Sequence, residues 1–134
     1  MVIDTSALIA ILLNEPETEA FAAAIAAAPS RLISAVSALE TAIVIEAKKG
    51  ALGSQLLDEL LVAIQVNIIA FDQNQFNLAR EAYTRFGKGR HPAALNFGDC
   101  CAYALARNTG EALLFKGQDF SATDIEQVML SRQS

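Results

Sequence analysis

At 134 residues, 53% of them apolar and 19% charged, the chain is long enough for one domain with a substantial core and too apolar to be disordered. A net charge of −5 excludes a protein that coats nucleic acid by bulk charge, although Arg80, Arg85, Lys88 and Arg90 place four of the ten basic residues within eleven positions. The adjacent Cys100 and Cys101 offer neither a disulfide framework nor zinc-ligand spacing, and read as small core or helix-surface residues.

The chain opens on "MVIDTSALIA", an apolar run that reads as a short buried strand followed at once by a helix. No basic, apolar and cleavage-site pattern of a signal peptide precedes Asp4, so a cytoplasmic protein is expected. "EPETEAFAAAIAAAP" predicts a second helix over Glu17 to Ala28, entered at Pro16 and closed by Pro29; it is too short to span a bilayer. "RLIS" predicts a strand. An inner helix over Val36 to Lys49 stops at Gly50, and another runs from Ser54 to Ile64. "VNIIAF" is a strand by its β-branched content, and "DQNQFNLAREAYTRFG" a helix begun by Asp72 and ended by Gly87. The loop "KGRHPAAL" leads to a helix over Asn96 to Asn108, closed by Gly110; "EALLFK" is the next strand, and "TDIEQV" is expected to add one more at the sheet edge. Short strands alternating with helices predict an α/β fold with a mainly parallel sheet.

The acids fall on these elements in a pattern. Asp4 lies where the first strand ends, which in an open parallel sheet is the rim of the binding crevice; helix capping is the other role open to it. Glu40 has Val36, Ile43 and Val44 as helical neighbours, which reads as a buried stripe, where an ionised carboxylate is costly unless paired or bound to metal. Asp99 sits in the first turn of its helix, as partner of Asn96 in a capping box or as a site residue. Asp119 follows the "LLF" strand, in a turn or at a crevice rim. Asp124 reads as a cap or a solvated turn residue. Carboxylates gathered at one rim repel one another, so such a cluster calls for divalent cations; oxygen-only ligands suit Mg²⁺ or Mn²⁺, and sites of that kind perform phosphoryl chemistry.

With these residues placed, "VIDTSAL", "SALETAIV", "LNFGDCCAYALA" and "LLFKGQDF" followed by "TDI" resemble, in order and spacing, the PIN-domain ribonucleases, and within them the VapC toxins of bacterial toxin–antitoxin pairs. The resemblance covers nearly the whole chain. It implies a single PIN domain over residues 1–134, a three-layer α/β/α sandwich, and Mg²⁺- or Mn²⁺-dependent endonucleolytic cleavage of RNA. It implies Asp4 and Asp99 as principal metal ligands, Glu40 and Asp119 completing the acidic site, and Ser6 as the small hydroxyl that helps hold the site or its water. Many relatives carry an acid two residues before the aspartate of the "DF" pair, where this chain has Gly117. The resemblance also implies a VapB-like antitoxin as partner and a homodimer, and involves no membrane.

Lys88, Arg90 and His91 on the glycine-rich loop, with Arg85 one turn before it, form either a phosphate grip with Tyr83 or Phe86 free to stack on a base, or a solvated loop. Lys116 either approaches a phosphate or pairs with an acid. A haloacid-type phosphatase would need a second aspartate where Ser6 stands, and a receiver domain an acid pair after the first strand. A PIN-like module that only binds a protein, its acids serving as caps, is the alternative reading.

Overall fold

A computed structural model describes residues 1–131. In chain order the elements are β1 (Val2–Ile3), α1 (Thr5–Leu12), α2 (Thr18–Ala27), β2 (Leu32–Ser34), α3 (Ala35–Ala63), β3 (Asn67–Ile69), α4 (Gln73–Phe86), α5 (Phe97–Thr109) and β4 (Leu113–Leu114). The strands form one parallel sheet in the order β3-β2-β1-β4, with Val2 in register with Leu32 on one side and Leu113 on the other.

Two-residue alternation along these strands builds the layers. Val2 and Leu113 point into a core with Ala82 and Phe86 of α4 and Leu105 and Tyr103 of α5. Their neighbours Ile3 and Leu114, with Ile33 of β2, point the other way, against Leu8 of α1 and Phe21 and Ile25 of α2. Helices therefore cover both faces, as buried parallel sheets require, and the expected α/β/α sandwich is what forms.

The helix ends follow the sequence cues. Asp72 caps α4 by accepting from the Gln75 N–H, and Gly110 closes α5 in the left-handed conformation at φ +71°. The two helices expected on either side of Gly50 form; α3 spans both, and the helix breaks where Gly50 leaves the helical region at φ +59° and ψ −143°. Two expectations change. "TDIEQV" forms no full strand; it adds one parallel bridge, Leu113 to Gln127, at the β4 edge. The buried face of α3 runs through Ser37, Thr41 and Ile45, whereas Val36 and Val44 are half-buried and Ile43 is exposed. Glu40 thus lies at the edge of the buried face.

This assignment of faces is open to measurement. Leu8→Ala, at a fully buried position, is expected to lower the unfolding free energy by about 2–5 kcal/mol in urea titration. Leu39→Ala, on the outer face of α3, should cost less than about 0.5 kcal/mol. Equal losses would mean that the outer face of α3 is assigned wrongly.

Candidate active site

In a sheet ordered β3-β2-β1-β4, the neighbours of β1 were reached by chain leaving in opposite directions, and a crevice opens beyond the carboxyl ends of β1 and β4. Asp4 is the first residue beyond β1 and is buried, 4% exposed. Its Oδ2 accepts from the Ser6 N–H at 3.0 Å and from the Ser6 O–H at 2.6 Å. The Ser6 oxygen in turn accepts from the Lys116 N–H at 2.9 Å, so the end of β4 is tied through Ser6 to the carboxylate at the end of β1. Capping and site membership are one arrangement here: the cap holds the carboxylate at the crevice.

The other acids arrive from the remaining elements. Asp99 and Asn96 form the expected capping box, Asn96 N–H donating to Asp99 Oδ2 at 3.0 Å and Asp99 N–H to Asn96 Oδ1 at 2.9 Å. Glu40 crosses from α3 to the first turn of α5, where a Cβ at Gly98 would stand 2.5 and 2.7 Å from its two carboxylate oxygens. A side chain at position 98 would displace the Glu40 carboxylate from that point, and nothing in the spacing of the acids announces Gly98's role. Asp119 lies in the exposed turn after β4. Gly117 sits at φ +102°, a conformation that strains any side chain, so Asp119 is the acid this turn can offer.

The electrostatics record the convergence. Burial pushes the Asp4 carboxyl up to about 6 against the opposing Ser6 bonds, and the charge of Glu40 adds to the rise. Burial pushes Asp99 up to about 7, opposed by the Asn96 amide and reinforced by the charges of Asp4, Asp119 and Glu40. Among the described residues none of these four acids has an ion-pair partner, while Glu15, Glu17, Glu81, Glu111 and Asp124 all do. Crowded carboxylates without a cation from the chain are the donor set a hard divalent ion fits. The expectation of a finished anionic cup is not met in full: among the described residues no three His, Cys, Asp or Glu side chains stand as a ready ligand set. The caps engage one oxygen of Asp4 and one of Asp99 and leave the other oxygen of each outside those bonds.

The basic residues divide. Arg85 is held 3.2 Å from Asp124 and stacks on Phe86, and Lys116 pairs with Glu15 at 2.8 Å and Glu17 at 3.1 Å. These cations are engaged by the protein itself. His91 accepts from the Ala93 N–H through Nδ1 and sets its ring against Phe86. Phe86 is buried and cannot stack on a base; Tyr83 is exposed, with the Arg90 guanidinium 5.4 Å from its ring centre. Lys88 is exposed on the same loop. Asp124, far from being a simple turn residue, accepts from the Tyr103 hydroxyl at 2.6 Å and pairs with Arg85 and Arg107. Cys100 and Cys101 are buried, and burial raises both thiols to about 11.

A parallel sandwich whose crevice gathers carboxylates around β1 has the architecture of an acid-centred phosphodiesterase. Comparison with known proteins narrows this. The PIN domain family profile matches residues 1–126. A VapC ribonuclease of Mycobacterium bovis is 52% identical over 130 residues, covering 97% of this chain and 99% of that protein. Ribonuclease VapC of Mycolicibacterium smegmatis is 52% identical over 128 residues, with 96% and 99% covered. The chain belongs to the PIN-domain family, among its VapC ribonucleases. The fold is shared with the sarcin–ricin-loop-cleaving toxin VapC20 of Mycobacterium tuberculosis (TM-score 0.76, 18% identity, 95% of this chain and 97% of that one covered). It is shared equally with VapBC2 of Rickettsia felis (TM-score 0.77, 15% identity, 97% and 98% covered).

Stability should carry the mark of the crowded acids. Because the folded pKa of Asp4 lies above its unfolded value, the folded state binds more protons, and stability falls as pH rises from about 4 through 6 to 7. For Asp4 alone the loss is on the order of 2–3 kcal/mol, from a carboxyl raised from 3.8 to about 6. Metal-free protein should therefore melt at a lower temperature at pH 8 than at pH 5, and Asp4→Asn should remove much of the difference. A melting temperature that climbs with pH over that interval would refute the electrostatic account.

Proposed function

We propose that the chain is the toxin of a type II toxin–antitoxin pair and cleaves RNA internally, with Asp4, Glu40, Asp99 and Asp119 holding Mg²⁺ or Mn²⁺. The observation that supports the reading most is the seating of Glu40 against Gly98, beside Asp99, whose carboxyl the charges of Asp4, Asp119 and Glu40 also raise. A bound divalent ion supplies an activated water and charge stabilisation for the leaving oxygen. The chain's own residues do the rest. The Ser6 hydroxyl fixes the rotamer of Asp4 and ties it to β4 through the Lys116 amide. The Asn96 amide fixes Asp99, and Lys88 and Arg90 stand on the loop leading to it, placed to meet a phosphate backbone.

The 52% identity to VapC ribonucleases over nearly the full length supports the toxin reading, and VapBC2 of Rickettsia felis, alike in fold, is a toxin–antitoxin assembly. On this reading a VapB-like antitoxin is the partner and a second copy completes a homodimer. The apolar side chains that Leu39 and Ile43 present one turn apart on the outer face of α3 are available to such contacts. On this reading the chain works in the cytoplasm as one domain; among the described residues no helix is long and apolar enough to cross a membrane.

Purified protein with Mn²⁺ should cut RNA, and Asp4→Asn or Asp99→Asn should lower the rate by more than ~100-fold, the upper loss typical of residues that merely support a metal ligand. Ser6→Ala should fall within that ~10- to 100-fold supporting range. Folded variants that cut as well as the parent would sink the assignment and favour a module that only binds protein. Cut ends mapped after brief expression without the antitoxin would name the substrate.

A further inference from the structure

A cleft of about 430 Å³ lies between α4 and α5, beside the acidic crevice and outside its ligand set. Its walls include Phe76, Arg80, Tyr83 and Phe97, with Cys100 and Cys101 also lining it. The volume lies within the ~300–1,000 Å³ of small-molecule sites. Three of its aromatic rings are exposed: Phe76 by 47%, Tyr83 by 44% and Phe97 by 77%. Their exposure is a cost unless something covers them. Arg80 lies 5.5 Å from the centre of the Phe76 ring and Arg90 5.4 Å from that of Tyr83, and neither guanidinium has an ion-pair partner among the described residues.

The position matters as much as the lining. Phe97 and Cys100 flank Gly98 and Asp99 in the first turn of α5, so the wall of the cleft and the acidic crevice are two sides of one helical turn. Aromatic faces within a rim of unpaired arginines, on a protein of net charge −5, complement a ligand that is flat and apolar in one part and anionic in the next. An apolar protein segment would not need the arginines. A second copy docked symmetrically would turn each arginine toward a neighbourhood already carrying the same charge.

We propose that the cleft between α4 and α5 is a nucleobase site: it takes an unpaired base of single-stranded RNA, stacked on Tyr83 and Phe97, while Arg80 and Arg90 meet the adjoining phosphates. The inference rests on the ribonuclease reading and deepens it, since a stacked base fixes which phosphate reaches the acids and confines the enzyme to unpaired RNA. Stacking discriminates weakly among bases, so the cleft selects single strands rather than a sequence.

The test uses protein silenced by Asp4→Asn, with fluorescein-labelled oligo-adenosine RNA and an abasic ribose-phosphate chain of equal length as probes. Tyr83→Ala and Phe97→Ala should each weaken oligo-adenosine binding about ten-fold and change abasic binding by less than about two-fold, while Tyr83→Phe binds as the parent does. Unchanged oligo-adenosine affinity in the alanine variants, equal loss on both probes, or no binding by the parent would overturn the proposal. So would a loss confined to self-association in sedimentation, which would give the cleft to a second copy, or to antitoxin affinity, which would give it to a protein partner. Cleavage by the unsubstituted protein with Mn²⁺ runs alongside. Base discrimination without cleavage sinks the ribonuclease reading and leaves the cleft, whereas cleavage without discrimination sinks the cleft alone.

Discussion

Carboxylates that have no ion-pair partner among the described residues lie near the end of one strand, close enough for the charges of Asp4, Glu40 and Asp119 to raise the Asp99 carboxyl, and the surrounding architecture restrains them. Placed in water they would move apart. At the crevice Asp4 is held by the Ser6 hydroxyl and amide and Asp99 by its capping box, while the Glu40 carboxylate takes the space left by the missing side chain of Gly98. Each restraint is also an ordinary means of starting a helix or packing two of them. The helix caps thus fall on buried acids, and the carboxyls of Asp4 and Asp99 are raised by burial first and by neighbouring charge second.

The sheet explains why these acids and not others are gathered. β1 lies between β2 and β4, so the first residue beyond it faces a crevice whose other walls are the end of β4 and the start of α5. The Lys116 amide, at the end of β4, reaches the same Ser6 oxygen that holds Asp4. The Lys116 ammonium meanwhile binds Glu15 and Glu17, drawing the chain between α1 and α2 against that end of the sheet. The positive charge nearest β4 is thereby turned away from the crevice, and the acids keep their mutual repulsion, which a divalent ion relieves better than a side-chain ammonium can.

Local signals were legible in the sequence and tertiary ones were not. Asp72, Asn96, Gly50 and Gly110 mark the helix ends because capping and left-handed backbone depend on a few adjacent residues. The strands were found although β1 and β4 are only two residues long, since a buried parallel strand reads as an apolar run whatever its length. Element placement and family resemblance point to Asp4, Glu40, Asp99 and Asp119 together; the charges of the other three reach Asp99, but no three of the four stand as a ready ligand set among the described residues. The face of α3 was misjudged because its outward Leu39 and Ile43 are of the residue types that fill cores, and periodicity cannot say which apolar stripe meets the sheet. Lys116 and Arg85 read as available because Glu15 and Asp124 lie 101 and 39 residues away; the i,i+4 partner of Arg85, Glu81, is the one local sign of its engagement. Gly98 was passed over because a glycine in a first turn gives no sign that another element's carboxylate will occupy its missing side chain.

The same logic links stability to function. An isosteric amide at Asp4 could still accept the Ser6 bonds and would remove one of the repelling charges, so the metal-free fold gains what the site loses. Residues chosen for folding alone would not be acids at this rim. Their presence, with Gly98 cut back to admit one of them and Ser6 shared between two strand ends, is a cost to the isolated chain that makes sense only where binding supplies the compensating charge. On the proposed function, binding and folding are coupled at this crevice. An ion that neutralised the acids would tighten the junction of β1, β4, α3 and α5, and the first turn of α5 is at once part of that junction and one wall of the aromatic cleft proposed to grip RNA.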